Sequence, residues 1–275
     1  MRLGEYNKLT ILRFTSVGAY LGDEEENDVL LPNKYLTEDM MLDDEVEVFL
    51  YRDSEDRLVA TTEKPYIILN QFAYLKVKEV TPFGAFLDWG LEKDLLVPFR
   101  EQAHKLEEGK YYLIYLMLDT ATDRLVATSK TNKVFSKDVE GIQLNEEVSI
   151  LIGDQTDLGV KVVVENKYQG LIYKNDIVDR LFRGETMVGY VFNIREDGKL
   201  DVRLTKSGGA KIEPNTKKVM DLLEKNDGKL NLSDKSKPEE INTLLGMSKK
   251  TFKQVIGGLY KNRVIKINDD SIELL

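Results

Sequence analysis

The sequence contains no cysteine, so disulfides and thiolate metal sites are excluded. That absence fits a reducing compartment, and the expectation is a cytoplasmic protein. It contains one histidine, His104, in the polar stretch Glu101-Gln102-Ala103-His104-Lys105, which reads as a surface helix. No Ser-His or Cys-His pair can be assembled without that residue, and no GxxxxGK phosphate loop occurs. The acidic run Asp23-Glu24-Glu25-Glu26 reads as a solvated loop rather than a metal site. No apolar run approaches the roughly 18 residues of a membrane-spanning helix. The first residues, Met1-Arg2-Leu3-Gly4-Glu5-Tyr6, lack the apolar core of a signal peptide. The chain therefore reads as a non-enzyme without metal, cofactor or membrane contact.

An excess of basic charge is also missing. The net charge is −9, which counts against strong nonspecific binding to nucleic acid. The charge is uneven, however. Residues 1–210 hold 26 basic and 38 acidic side chains, whereas residues 211–275 hold 13 basic and 10 acidic ones. The tail differs in kind from what precedes it.

What the chain has is repetition. Asp56-Arg57-Leu58-Val59-Ala60-Thr61 returns 67 residues later as Asp123-Arg124-Leu125-Val126-Ala127-Thr128. Thr15-Ser16-Val17-Gly18-Ala19-Tyr20 matches Thr81-Pro82-Phe83-Gly84-Ala85-Phe86 at an interval of 66. Asp28-Val29-Leu30-Leu31-Pro32 matches Asp94-Leu95-Leu96-Val97-Pro98 at the same interval. A more diverged third copy carries Thr156-Asp157-Leu158-Gly159-Val160, then Gly170-Leu171-Ile172-Tyr173, and closes on Gly198–Thr205. Collinear matches at this period mark a duplicated small domain rather than a solenoid. The expected boundaries are 1–65, 66–135 and 140–210, with a fourth domain over 214–275.

Each copy reads as about five short strands, enough for a small Greek-key barrel. Val46-Glu47-Val48-Phe49-Leu50 and Tyr112-Leu113-Ile114-Tyr115-Leu116 are rich in branched and aromatic residues and run into acidic turns. Phe83 and Phe86 are three apart, so a regular strand sends them to opposite faces. A bulge at Gly84 would return them to one face, side by side on a coiled strand. The tail reads as helices. Ser236-Lys237-Pro238-Glu239 has a capping-box pattern with Pro in the first turn. Gly246 ends that helix, and Ser248 caps the next, where Phe252, Val255, Ile256 and Leu259 form one face. Gly257-Gly258 weakens the last helix and suggests close packing there. A hairpin over Val264–Ile267 and Ile272–Leu274 completes a winged helix-turn-helix. The fold expectation is a mainly β, multidomain chain: three tandem OB-fold barrels, then a winged helix.

The pattern Val-x-Pro-Phe-Gly-Ala-Phe, Leu-Leu-Val-Pro, Arg-Leu-Val-Ala-Thr resembles the S1 RNA-binding domain, best in the second copy at Val80–Phe86 and Leu95–Thr128. Three such copies followed by a winged helix resemble the bacterial conserved virulence factor B family. The resemblance implies an RNA-binding regulator of gene expression, virulence genes included, whose barrels take single-stranded RNA. It implies base stacking on Phe83 and Phe86 and a phosphate contact at Arg124, with Pro98 where the family often has His. In the first copy it points to Tyr20 and Arg57, with Val17 at the other stacking position. In the third it places Leu158 and Lys161 at the stacking positions, Tyr173 where the family often has His, and Arg203 on the closing strand.

In the tail, Lys249, Lys250 and Lys253 lie on the polar side of the expected recognition helix, with Arg263 near its end. Such a helix enters a major groove in other winged helices, so duplex nucleic acid is a second possible partner. Asp269 and Asp270 at the wing tip would repel phosphate. Other readings stay open. The alternative for the paired phenylalanines is a barrel core or a domain contact. The acidic balance fits a protein-interaction scaffold, on ribosomes or RNA-processing machinery, with degenerate barrel faces.

Overall fold

The computed structural model describes residues 1–23, 25, 27–177, 179–205, 214–261 and 264–275. They fall into two units, Met1–Lys174 with Leu181–Arg203, and Asn175–Arg180 with Leu204–Leu275. Arg263, and residues 206–213 at the join between the last two expected domains, lie outside the described residues.

The first unit repeats one five-stranded design three times. Strands β1 (Tyr6–Thr15), β2 (Gly18–Gly22), β3 (Asp28–Pro32), β4 (Glu45–Arg52) and β5 (Leu58–Thr61) close into a barrel in the order β1-β2-β3-β5-β4. Strands β6 (Phe72–Thr81), β7 (Gly84–Asp88), β8 (Leu95–Pro98), β9 (Tyr111–Asp119) and β10 (Arg124–Thr128) follow in the same order around the second copy. Here β8 and β10 lie side by side without joining in a ladder, so the second barrel is a curled five-stranded sheet. Strands β11 (Glu147–Gln155), β12 (Gly159–Val164), β13 (Tyr168–Tyr173), β14 (Thr186–Ile194) and β15 (Leu200–Arg203) close the third barrel. The repeated Leu-Val-Ala-Thr phrase is β5 and the body of β10, the strand that completes each copy.

The bulge lies elsewhere than expected. Thr81 pairs with Gly84, so Pro82 and Phe83 form a two-residue hairpin turn and Gly84 opens β7. The register shift falls between Val77 and Glu79 on β6, which places the extra residue at Lys78. A shift at the matching place occurs in β1, between Ile11 and Arg13. A side-chain period in one strand does not reveal which partner carries the extra residue.

The stretch Val48–Tyr51 is apolar and buried on both sides because β4 separates two cores. Val48 and Leu50 point into the first barrel with Leu9, Ile11 and Leu31. Phe49 and Tyr51, on the other face, pack with Trp89, Leu87 and Ile114 of the second barrel. Phe49 meets Tyr6 and Trp89 edge to face at 5.7 and 5.8 Å, and Tyr51 meets Trp89 at 6.4 Å. The first two barrels therefore share one aromatic seam.

The second unit contains α1 (Pro214–Lys225), β16 (Lys229–Leu230), α2 (Pro238–Leu245), α3 (Lys249–Lys261), β17 (Ile265–Ile267) and β18 (Ile272–Leu274). Its core joins Val219 and Leu223 of α1, Ile241 and Leu245 of α2, and Phe252 and Ile256 of α3. The short β16 pairs with β18 and was not legible in the sequence. The start of α2 is one residue later than expected. Lys237 is the N-cap, Pro238 opens the helix, and the Glu240 carboxylate accepts from the Lys237 N–H at 3.2 Å. Ser236 instead accepts from the Ser233 N–H. Gly246 adopts the left-handed C-cap, with φ of 62°. Ser248 accepts from the Thr251 N–H at 3.1 Å and caps α3. Gly257 and Gly258 are exposed, and a Cβ at either would meet nothing within 4 Å. Close packing within the chain does not account for them.

Candidate nucleic-acid interface

One turn recurs in all three barrels with the same threonine-to-glycine bond. A threonine at its start, Thr15, Thr81 or Thr156, donates its hydroxyl to the carbonyl of the glycine three residues on, at 2.8, 3.4 and 2.9 Å. Those glycines, Gly18, Gly84 and Gly159, have φ of 153°, 149° and 157°. A Cβ there would fall 2.1, 2.3 and 1.9 Å from the carbonyl oxygens of Leu31, Val97 and Ile172 on the neighbouring strand. Only glycine lets the hairpin lie so close. Of the two residues between threonine and glycine, the one just before the glycine is thereby pushed into solvent. Val17 is 56%, Phe83 76% and Leu158 66% exposed.

Phe83 thus stands at a hairpin tip, while Phe86 lies on β7 between buried Ala85 and Leu87 and faces outward, half-buried. No ring contact joins the two among the described residues. Phe86 instead borders a cavity of about 210 Å³ between the first two barrels, with Trp89, Lys93 and Arg124. Phe99, just after Pro98, and Phe14 on β1 are also about half exposed, and sequence reasoning passed over both. Phe99 directly continues the Leu-Leu-Val-Pro phrase, which was the available signal.

The expected phosphate contacts are largely engaged inside the protein. Arg124 makes a two-pronged ion pair with Asp56 of the first barrel, at 3.0 and 2.9 Å. Arg52 answers it by pairing with Asp123 at 2.5 Å. The two Asp turns, each with its acid at positive φ, therefore clamp the barrels reciprocally. The Arg124 hydrogen bonds hold the Asp56 carboxyl below its ordinary pKa, and the same pair raises Arg124. Lys93 donates to the Asp53 carbonyl across the same junction at 2.6 Å, and burial pushes its ammonium pKa down. Arg57 pairs with Asp53 and Glu55 within its own loop.

Tyr20 is covered on one face by Arg13, whose guanidinium carbon lies 4.1 Å from the ring centre and which also pairs with Asp28. In the third barrel the Tyr173 hydroxyl accepts from Arg195 at 3.1 Å, and Arg195 is bound to buried Asp201. Arg203 stacks on Phe192 at 3.8 Å. Lys161, on β12, is exposed and has no anionic partner among the described residues.

In the second unit, the three lysines of α3 separate. Lys249 donates to the Lys235 and Ser236 carbonyls at 3.3 and 2.8 Å and ties down the loop before α2. Lys253 faces Asp234 at 3.6 Å. Lys250 alone of the three is exposed without such a partner among the described residues. At the wing, Asp269 is neutralised by Lys235, while Asp270 is exposed. His104 lies in an irregular segment after the 3-10 turn Phe99–Glu101, not in a helix, and its ring contacts Tyr112 at 5.5 Å. Among the described residues no cluster of acids and histidine could hold a metal, and no helix is long and apolar enough to cross a membrane.

Residues 3–63 match the family described as S1 domain, and residues 217–274 the family described as CvfB-like winged helix domain. The S1 match falls on the first barrel, where the sequence pattern was weaker. The Bacillus subtilis protein named Uncharacterized protein YitL is 29% identical over 95% of this chain and 90% of its own length. Conserved virulence factor B of Staphylococcus epidermidis (strain ATCC 12228) is 27% identical, covering 86% of this chain and 82% of that protein. Among solved structures, a multidomain protein with nucleic acid binding domains from Streptococcus pneumoniae is 24% identical, with a TM-score of 0.42 over 99% of this chain and 98% of that one.

Proposed function

Because the chain is a relative of the conserved virulence factor B proteins, we propose that it binds single-stranded RNA through its S1-type barrels and regulates gene expression, virulence genes included. In this reading the barrels are separate binding domains over 1–65, 66–135 and 140–210, and the winged helix of 214–275 adds affinity. The observation that supports it is Phe83. An exposed phenylalanine forgoes roughly 1.5–3 kcal/mol of burial, and a built turn holds this one outward. A base stacked on that ring gains roughly 1–3 kcal/mol whatever its identity.

The test is a titration of Phe83→Ala with short single-stranded RNAs. Affinity falls by about 1–3 kcal/mol, while stability stays within about 0.5 kcal/mol because the ring touches little. An unchanged affinity would remove the barrel face from the binding site. The rival reading, a protein-interaction scaffold, draws support from Arg57, Arg124 and Tyr173, whose polar groups already have partners inside the chain.

In the winged helix the contact is through charge. Lys250→Gln makes the log-affinity against log-salt slope shallower by about 0.7 on single strands or 0.9 on duplex. Lys249→Gln leaves the slope unchanged and instead loosens the loop before α2. A slope insensitive to Lys250 would mark the module as a protein contact.

A further inference from the structure

The first unit holds a second aromatic and cationic surface that includes neither Phe83 nor Phe86. A cavity of about 730 Å³ lies where the second and third barrels join, with Tyr111, Tyr112 and His104 on one side and Arg183 on the other. A cavity of about 380 Å³ adjoins it along the third barrel, beside Lys137 and Lys199. Phe135 and Lys161 border both, so the two form one groove.

The joint between these barrels is fixed well enough to define that groove. The Asn166 side chain of the β12–β13 turn accepts from the Phe72 N–H at 2.7 Å and donates to the Asn70 carbonyl at 2.9 Å. The Ser136 N–H donates to the Lys167 carbonyl at 3.0 Å. Phe135, at the end of the second copy, stacks on Phe72 of the same copy at 4.7 Å with the rings 10° apart and so seats the segment that leads into Ser136.

Two properties of the lining point to one kind of occupant. First, its rings are accessible. Tyr111 is 53% exposed, and His104 rests on Tyr112, whose hydroxyl accepts from the Glu107 N–H at 3.1 Å. Second, its charges do not cancel. Lys110 pairs with Glu107, Arg183 with Asp154 and Lys199 with Asp197. Lys161 and Lys137 are exposed and have no anionic partner among the described residues. Flat rings beside uncompensated cations suit a polyanion that carries flat bases. An acidic peptide would use the lysines and leave the rings idle.

We propose that this groove carries single-stranded RNA from the second barrel to the third, with bases on the His104–Tyr112 platform and phosphates at Lys161 and Lys137. The proposal rests on the RNA reading above and adds a path to it. Lys161, expected from the sequence as a contact of the third barrel alone, becomes the group that links two barrels.

The experiment titrates the full chain with a labelled oligouridylate of about 20 nucleotides, long enough to exceed the roughly 4–16 nucleotides of one OB fold. The double variant K137Q/K161Q binds more weakly by on the order of tenfold at 0.1 M salt, and its salt slope is shallower by about 1.4, as two lost phosphate contacts require. K137R/K161R retains wild-type affinity and slope. Ultraviolet crosslinks on the wild type fall in the segment holding His104 and Tyr112. Circular dichroism shows all variants folded.

Wild-type affinity and slope in K137Q/K161Q, alongside weakened binding by Phe83→Ala, overturn the groove and leave the RNA reading standing. An equal loss in the arginine variant assigns the effect to shape and overturns the phosphate contacts. Displacement of the RNA by polyglutamate, abolished in K137Q/K161Q, makes the occupant an acidic protein segment instead. Failure of the wild type to bind any oligonucleotide removes both readings.

Discussion

The two junctions within the first unit are made of different materials. Between the first and second barrels, Tyr6, Phe49, Tyr51 and Trp89 interlock as edge-to-face rings, with Phe49 fully buried. Between the second and third, an asparagine side chain bridges two backbone groups and a cavity of about 730 Å³ remains. Apolar seams are nondirectional and stabilise in proportion to the area removed from water. Single hydrogen bonds contribute only about 0.5–1.5 kcal/mol net, because water replaces them. The first junction makes one body of two small barrels that would each bury little alone. The second keeps its barrels in register but leaves polar space between them, and Lys161 and Lys137, without anionic partners among the described residues, border that space.

Phe49→Ala probes the first junction hardest. Removing a buried ring costs about 3–5 kcal/mol. Trp89 is the chain's single tryptophan and lies in the seam, so its fluorescence in a urea titration reports the loss directly. The first and second barrels should unfold in one transition. Separate transitions for β1–β5 and β6–β10, seen by hydrogen exchange, would break the comparison.

Asn166→Ala sharpens the other side. Two hydrogen bonds vanish and the Phe72 N–H is left without its acceptor, at a cost of about 1–3 kcal/mol. Exchange protection at the Phe72 amide drops, while the Trp89 transition keeps its midpoint. A large shift of that midpoint would mean that the second junction supports the first.

The reciprocal clamp gives the smallest effect, since its charges are exposed and screened. A double-mutant cycle on Asp56 and Arg124 should barely resolve a coupling. The pH dependence has a definite sign. Asp56 has a depressed folded pKa, so its contribution is present above the unfolded carboxyl value of about 3.9 and is lost as pH falls through the folded one. The coupling therefore fades in acid and does not change between pH 6 and 8. A coupling that grows in acid would contradict the pair.

Strand number and the barrel class were legible because duplication writes the same pattern several times. The seam was not. Val46–Tyr51 reads as a strand in any case, and only the presence of a second barrel reveals why both faces of Val48–Tyr51 are apolar. The role of Arg124 was hidden for a similar reason. Its partner Asp56 is 68 residues away, and the local pattern Asp123-Arg124 suggests nothing across a junction. Arg57, at the matching position, closes on Asp53 four residues earlier. The Gly84 turn was within reach. Threonine three residues before glycine recurs in every copy, and that spacing is a turn signature rather than a bulge signature. A helical wheel places Lys249 on the polar side of α3 with the other two lysines but does not show the loop lying over it.

The threonine-to-glycine turn separates two demands that usually compete. Its geometry depends on the hydroxyl and on the bare α-carbon, while the exposed residue just before the glycine contributes almost nothing to folding. Valine, phenylalanine and leucine occupy that place in the three barrels of one chain. Each barrel can therefore be retuned at a single codon, toward stacking, toward grease or toward indifference, while its scaffold stays as it is.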